Sequence, residues 1–315
     1  MTKQRVFRLP QRTSIQDLQV SEENVPEPSA QEVLIRIKNV ALNYRDFAVP
    51  TGKYPFPVKD NVVPCSDLSG EVVRVGSHVE DFAEGDKVIA SFDLRTLYGA
   101  MPDWHHSLGT TAWNALYGNV PLKPGQTVLF LELPLITFEG TGGVSITGLI
   151  LARAAGAVTI ITSSSDDKLA HVQKTYGADY TINYKSTPAW SQEVLKITNG
   201  HGADFILENG GAGTIGQSID AVAYGGNIAV IGFLASCPQE KMPDVAALAL
   251  SKGAIVRGIM VGSQQQLEDV TRFVTSKDLN VPVEKVFGFG RDEVVSAFEY
   301  LVSGQHIGKV CIAVN

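Results

Sequence analysis

The sequence predicts an α/β protein in which a doubly wound parallel sheet is joined to a smaller β-rich domain. From Thr127 onward, apolar β-prone runs alternate with amphipathic stretches, the rhythm of strands and helices that stack into a parallel sheet with helices on both faces. A glycine-rich turn, Gly140 to Ser145, follows one apolar run and opens a helix. The first hundred residues show a different pattern, in which short β-branched runs are broken by Pro26, Pro28, Pro50, Pro55, Pro57 and Pro64, and such prolines exclude long helices.

Within the β-rich half, Val33 to Val40 and Gly70 to Gly76 read as strands closed by turn signals. Gly85-Asp86 then turns into another, Lys87 to Ala90. In the alternating half, Ile146, Leu149, Ile150 and Ala154 share one helix face, and Gly156 stands where a left-handed cap is expected. Thr159 to Thr162 is a short buried strand. Ser165 caps the next helix, Asp166 and Asp167 fill its first turn and Gly177 ends it. Tyr180 to Asn183 follows as a strand, Pro188 to Thr198 as a helix and Asp204 to Glu208 as a strand. Thr214 to Ala223 reads as a helix and Asn227 to Gly232 as a strand. Past Gly262 come a helix over Gln264 to Ser276, a strand near Val286, a helix over Asp292 to Val302 and a last strand, Lys309 to Val314.

A strand, a glycine turn and a helix form a device for holding a pyrophosphate. Residues without side chains admit the phosphates to the backbone, and the helix N-terminus offers N–H groups and a positive dipole end. Ser145 stands where the GxGxxG pattern has its third glycine, so the turn alone suits a tight structural bend as readily.

Composition narrows the class. The chain has 315 residues, 44% hydrophobic and 19% charged, enough for two domains and a sizeable core. A net charge of −7 with no block of Lys and Arg argues against a nucleic-acid surface. Three distant cysteines, Cys65, Cys237 and Cys311, do not suggest a disulfide framework. No apolar run is long enough to span a membrane and the first residues lack a signal core, so the expected location is the cytoplasm.

The chain resembles the zinc-free, quinone-oxidoreductase-like branch of the medium-chain dehydrogenase/reductase superfamily. The phrases that carry the resemblance are Ala41 to Asp46 (ALNYRD), Gly70 to Val73 (GEVV), Gly85 to Val88 (GDKV), Thr111 to Leu116 (TAWNAL), Lys123 to Val128 (KPGQTV), Gly140 to Ser145 and Gly308 to Val310 (GKV). They run in family order along nearly the whole chain. The resemblance implies a discontinuous GroES-like catalytic domain, residues 1–109 with 263–315 returning to it, around a Rossmann domain at 110–262. It also implies a cofactor in the cleft between them.

Two departures stand out. In the family the first strand runs directly into the glycine turn, whereas here Leu133 to Glu139 intervene after Val128 to Glu132. Either Val128 to Glu132 is the strand and the insert a loop at the pyrophosphate turn, or Leu135 to Glu139 is the strand. The second departure is at Gly109–Thr110, where family members carry several dozen further residues that complete the catalytic domain, which therefore reads as truncated here.

By resemblance, the zinc-ligand positions of the wider superfamily hold Asn43 and Ser66, a third falls in the missing stretch, and Cys65 is one residue out of place. A catalytic zinc needs three such ligands, so no metal is expected, and His105-His106 reads as a solvated pair. The resemblance then implies hydride transfer between NADPH and a small carbonyl, enone or quinone. Asn43 and Tyr44 match the family's cleft positions and can donate hydrogen bonds to a substrate oxygen, while Asp46 could orient either. The alternative is that Asn43 and Asp46 satisfy turn backbone. For the cofactor, the strand tip runs into Ser163-Ser164-Ser165 with Lys168 one turn on, and small hydroxyls with a cation suit a 2′-phosphate better than an acidic tip would. Tyr184 matches a family position beside the same phosphate. Thr111, Gly140, Gly142, Gly143, Val144, Asn209, Gly210, Gly232, Phe233 and Gly262 complete the expected cofactor set, though glycines at strand ends also serve plain turns. A homodimer paired through Ala254 to Gly258 is expected, with no nucleic-acid or membrane partner. The competing reading is a cofactor-binding but catalytically impaired protein.

Overall fold

In a computed structural model of the protein, residues 2–91, 96–98, 110–131, 142–235 and 237–314 are described. Gly140, the insert Leu133 to Glu139, His105-His106 and the Gly109 side of the junction lie outside them. The chain begins with β1 (Lys3–Arg8), β2 (Gln19–Asn24), β3 (Val33–Ala41), α1 (Tyr44–Ala48), β4 (Asp67–Val75) and β5 (Lys87–Ile89). It continues through α2 (Thr111–Tyr117), β6 (Thr127–Phe130), α3 (Gly143–Ala154), β7 (Val158–Ser163), α4 (Asp166–Tyr176), β8 (Tyr180–Asn183), α5 (Trp190–Ile197) and β9 (Ala203–Glu208). Then come α6 (Ile215–Ala221), β10 (Val222–Val230), α7 (Val245–Lys252), β11 (Ile255–Gly258) and α8 (Gln264–Ser276). The chain closes with β12 (Val283–Phe287), α9 (Arg291–Ser303) and β13 (Lys309–Ala313). Among the described residues no helix is long and apolar enough to cross a membrane.

Two compact units divide these elements, one of residues 1–92, 283–302 and 309–315, the other of residues 93–282 and 303–308. Among the described residues, the second unit holds a six-stranded sheet in the order β11-β10-β9-β6-β7-β8, every pair parallel. This is the Rossmann order, with its reversal between β6 and β9. Strand β6 is therefore Thr127–Phe130, at the centre of the sheet, and of the two openings left by the sequence the upstream one holds. Its residues Val128, Leu129 and Phe130 are fully buried, as the middle strand of a two-faced sheet requires. Helix α3 lies against β6 closely enough that a Cβ on Gly148 would stand 2.7 Å from the Phe130 ring.

Local signals set the helix ends. Ser165 Oγ accepts the Lys168 N–H at the start of α4, and Gly177 closes it at φ +69°. Gly156 is left-handed at φ +82°, one residue past the Ala155 cap of α3. Ser263 and Gln266 form a capping box on α8. Two sequence expectations shift. The strand expected from Asn227 starts at Val222, where the chain leaves α6 extended and pairs with Ala203 before a register shift at Tyr224-Gly225-Gly226. Residues 263–282, assigned from the sequence to the returning segment, belong to the second unit. There the Trp113 ring of α2 meets Phe273 of α8 at 5.3 Å, and Val270 joins the buried cluster around Phe130.

The first unit contains the sheet β12-β13-β3-β4-β5, antiparallel apart from the β12–β13 pair, and the hairpin β1–β2. Its core gathers Phe7, Leu42, Phe298, Val310 and Ile312 from elements far apart in sequence. Residues 41–43 pass from β3 into α1 beside β13, because the Leu42 N–H is bonded to the Val310 carbonyl at 2.9 Å.

Candidate active site

In the second unit, the carboxyl ends of β6 and β9 meet at the switch point of the sheet, the place where ligands bind in such folds. Asn209 spans it: its Nδ2 donates to the Leu131 carbonyl at 2.9 Å and to Ser145 Oγ at 3.1 Å. The side chain thus ties the two strand ends to the first turn of α3, whose N-terminus begins at Gly142 and Gly143. Ser145 is fully buried in this strut, which gives the residue at the third-glycine position a structural task. Val144 follows the two glycines in the same turn and is half-buried.

Behind Asn209 stands a residue that the sequence reading treated only as a strand end. Glu208 is completely buried, and its Oε1 accepts from the Gly210 N–H at 2.7 Å, the Gly211 N–H at 3.0 Å and the Thr214 hydroxyl at 2.6 Å. Ser218 Oγ donates to Oε2. A carboxylate supplies acceptors only, so these donors match its needs and shape the turn that carries Asn209 and Gly210. A charged residue closing an apolar strand just before Asn-Gly-Gly was the available signal.

Close packing accounts for two of the strand-end glycines. A Cβ on Gly232 would fall 2.3 Å from the Asn209 carbonyl, so close backbone approach alone requires glycine there. A Cβ on Gly262 would sit 2.7 Å from Thr110. Phe233 is half-exposed beside this turn, and Thr111 is buried at the start of α2. Before Gly262, the buried β-branched Val261 adopts φ +58°, a strained conformation that its surroundings must hold. The Asn114 amide does so from the TAWNAL helix, donating to the Val261 carbonyl at 2.8 Å while Arg257 grips the Asn114 oxygens.

At the tip of β7, Ser163 and Ser164 are buried, and the Tyr184 N–H is bonded to the Ser163 carbonyl at 3.1 Å. Asn183 Nδ2 donates to Asp166, which keeps that carboxylate in the helix N-cap region. Lys168 Nζ donates to the Gly304 carbonyl at 2.6 Å, so its ammonium is anchored rather than swinging in solvent.

In the first unit, Asn43, Tyr44 and Asp46 come together around the start of α1. The Asn43 N–H donates to Asp46 Oδ2 at 2.8 Å, so Asp46 does serve turn backbone. Lys309, from β13, donates to Asn43 Oδ1 and has Asp67 Oδ2 at 3.9 Å on another side. Ser66 Oγ donates to Asp67 Oδ1 at 3.1 Å. Asn43 Nδ2 and Asp46 Oδ1 are buried without a hydrogen-bond partner among the described residues. Burial pushes the Asp46 carboxyl up to about 7; the Asn43 N–H opposes this, the Asp67 charge adds to it, and Arg45 and Lys309 oppose it. Burial likewise raises the Tyr44 phenol, keeping it a neutral donor. It pushes the Cys65 thiol well up, with Asp46 and Asp67 assisting, so that sulfur stays protonated.

Comparison with known proteins matches both regions. Residues 29–113 match the alcohol dehydrogenase GroES-like domain and residues 143–276 the family described as zinc-binding dehydrogenase. A zinc-type alcohol dehydrogenase-like protein of Schizosaccharomyces pombe is 37% identical over 343 residues, covering 95% of this chain and 95% of its own. That span exceeds the 315 residues here, so the relative carries positions this chain lacks. The structure of a putative alcohol dehydrogenase from Sinorhizobium meliloti superposes with TM-score 0.85 at 32% identity over 99% of both chains. An NAD-dependent alcohol dehydrogenase superposes with TM-score 0.83 at 27% identity, covering 99% of this chain and 100% of that one. With its Rossmann strand order, its GroES-like match and these relatives, the chain belongs to the medium-chain dehydrogenase/reductase superfamily and is an oxidoreductase of the alcohol dehydrogenase and quinone oxidoreductase type.

Proposed function

We propose that this oxidoreductase works without zinc and with NADPH, reducing a small carbonyl, enone or quinone in the cytoplasm. The observation that carries the reading is the Lys309 ammonium on Asn43 Oδ1. By resemblance Asn43 puts a neutral amide where the wider superfamily has a zinc ligand, and a fixed cation on its oxygen repels a dication. This donor set does not fit zinc. What remains is a pair of neutral donors, the Asn43 amide and the Tyr44 phenol, suited to a substrate oxygen that gathers negative charge.

For the cofactor, the N-terminus of α3 at Gly142 and Gly143 and the Asn209–Leu131 strut would receive a pyrophosphate. Ser163, Ser164 and Lys168 would receive a 2′-phosphate, with Tyr184 alongside. The nicotinamide supplies the hydride when bound; the protein's own groups orient the acceptor and supply hydrogen bonds. NADPH oxidation in the presence of small aldehydes, enones and quinones tests the function. Binding without turnover on any of them would select the impaired reading, which the length difference from the yeast relative favours.

Lys168→Glu sets like charge beside the 2′-phosphate. It should weaken NADPH about ten- to hundredfold while leaving NADH nearly unchanged, since a charge-assisted contact contributes roughly 1.5–3 kcal/mol. Fluorescence titration with both cofactors reads the ratio, and an equal loss for both removes the NADPH assignment.

The β11 edge carries the proposed homodimer. Ile255 is more than a third exposed on this strand, which is outermost in the sheet among the described residues, and Leu250 and Tyr224 on the neighbouring elements are largely exposed; pairing with a second copy would cover that edge. Light scattering at micromolar concentration should give twice the chain mass; a monomer contradicts the pairing.

A further inference from the structure

We infer that Lys309 is a positioning residue that fixes the Asn43 amide with its N–H groups turned toward a substrate carbonyl oxygen; the inference rests on the oxidoreductase reading above. The placement follows from strand pairing. Cys311 stands opposite Ala41, and the Leu42 N–H is bonded to the Val310 carbonyl, so the start of β13 lies beside the residue that leaves β3 for α1. Two residues 266 positions apart thereby meet, Lys309 Nζ donating to Asn43 Oδ1.

Chemistry fixes the amide orientation. An ammonium has donors and no acceptor, so the Asn43 atom facing it must be the oxygen, and Nδ2 must point the other way. That Nδ2 is buried and has no partner among the described residues. Buried amide donors are nearly always satisfied, and an exception calls for an explanation, a catalytic role being one. The Asn43 backbone is held as well, its N–H donating to Asp46 Oδ2, which keeps the residue from turning as a whole. Asp67 Oδ2 at 3.9 Å steadies the ammonium on another side. A cation on Oδ1 also polarises the amide, making Nδ2–H a stronger donor. The acceptor that gains most is an oxygen that becomes more negative during reaction, as a carbonyl oxygen does on receiving hydride at its carbon. The set favours an aldehyde, ketone or conjugated carbonyl over an acceptor lacking an oxygen.

A double-mutant cycle tests whether Lys309 acts through Asn43. Lys309→Met should lower kcat for aldehyde or enone reduction about ten- to hundredfold, the scale of a charge-assisted hydrogen bond, with NADPH affinity unchanged. Lys309→Gln, which keeps an N–H donor, should recover most of the loss. In an Asn43→Ala background, Lys309→Met should cost less than about twofold more. Full additivity overturns the inference. A second measurement does not need turnover: the Asn43 side-chain amide signal is followed by NMR in the NADPH complex while isobutyramide, a carbonyl compound used as an unreactive probe, is added. The wild-type signal should move and the Lys309→Met signal should not; no movement in the wild type, or equal movement in both, overturns the inference. Absence of turnover with a responsive amide would instead count against the proposed activity and leave the amide's role standing. If Lys309→Met does not fold, the wild-type titration and Lys309→Gln decide, since Gln should retain the response.

Discussion

Glu208→Ala is expected to destabilise the second unit by about 3–5 kcal/mol, the scale of orphaning several buried hydrogen-bond donors at once. The substitution leaves the Gly210 and Gly211 N–H groups and the Thr214 and Ser218 hydroxyls without their acceptor, at a site with no exposure to water. Each orphaned donor costs roughly 1–3 kcal/mol, and partial relaxation of the turn keeps the total below their sum. Glu208→Gln should be far milder. Its carbonyl oxygen can take over the three bonds at Oε1, and its amide can donate to Ser218 Oγ. The consequence should reach the cofactor side too, because the same turn presents Asn209, whose amide joins Leu131 and Ser145. Urea midpoints for wild type, Glu208→Gln and Glu208→Ala, with NADPH titrations on the folded variants, check both effects. An Ala variant within about 1 kcal/mol of wild type, below the cost of even one orphaned donor, would show that the turn holds itself without the carboxylate.

The architecture was readable wherever its causes are local. Ser165, Asp166 and Gly177 bound α4 with groups inside or beside the helix, and the sequence places those ends correctly. Tyr180–Asn183 and Gln264–Ser276 follow from patterning and flanking caps in the same way. The hairpin β1–β2 and the start of β10 were not readable. Lys3–Arg8 and Gln19–Asn24 are mostly polar, and their pairing is decided across an intervening stretch. Val222 extends because Ala203 is there to pair with it. The same division runs through the candidate site. Asn43, Tyr44 and Asp46 are adjacent in sequence and came to notice as one motif. Lys309 and Asp67 join them only through the β13–β3–β4 register, which no local pattern announces. Gly232 shows the converse: a strand-end glycine suits either cofactor approach or backbone crowding, and only the 2.3 Å at which a Cβ would meet the Asn209 carbonyl shows the second cause.

Asp46 should make the protein's stability fall as pH rises toward and through neutrality. Its carboxyl is nearly inaccessible and its Oδ1 has no hydrogen-bond partner among the described residues, so the fold favours the protonated form and holds the pKa at about 7 against a reference of 3.8. With a folded pKa above the unfolded one, the native state binds the extra proton. The associated stability is complete below about pH 4 and is lost as pH climbs through about 7. A shift of about three units corresponds to roughly 4 kcal/mol, at 1.36 kcal/mol per unit. Arg45, Lys309, Asp67, Cys65 and Tyr54 surround the group in charge terms; the two cations already moderate the shift and Asp67 enlarges it. Asp46→Asn isolates the effect, because its carbonyl oxygen can still accept the Asn43 N–H while nothing at the position ionises. Urea unfolding of both proteins at pH 5 and pH 8 should show wild type losing stability relative to Asp46→Asn by a few kcal/mol between the two conditions, the scale of that shift. Parallel behaviour of the two proteins across that range would mean that Asp46 is ionised in the fold at pH 5 already. A bonding partner for its second oxygen would then have to exist.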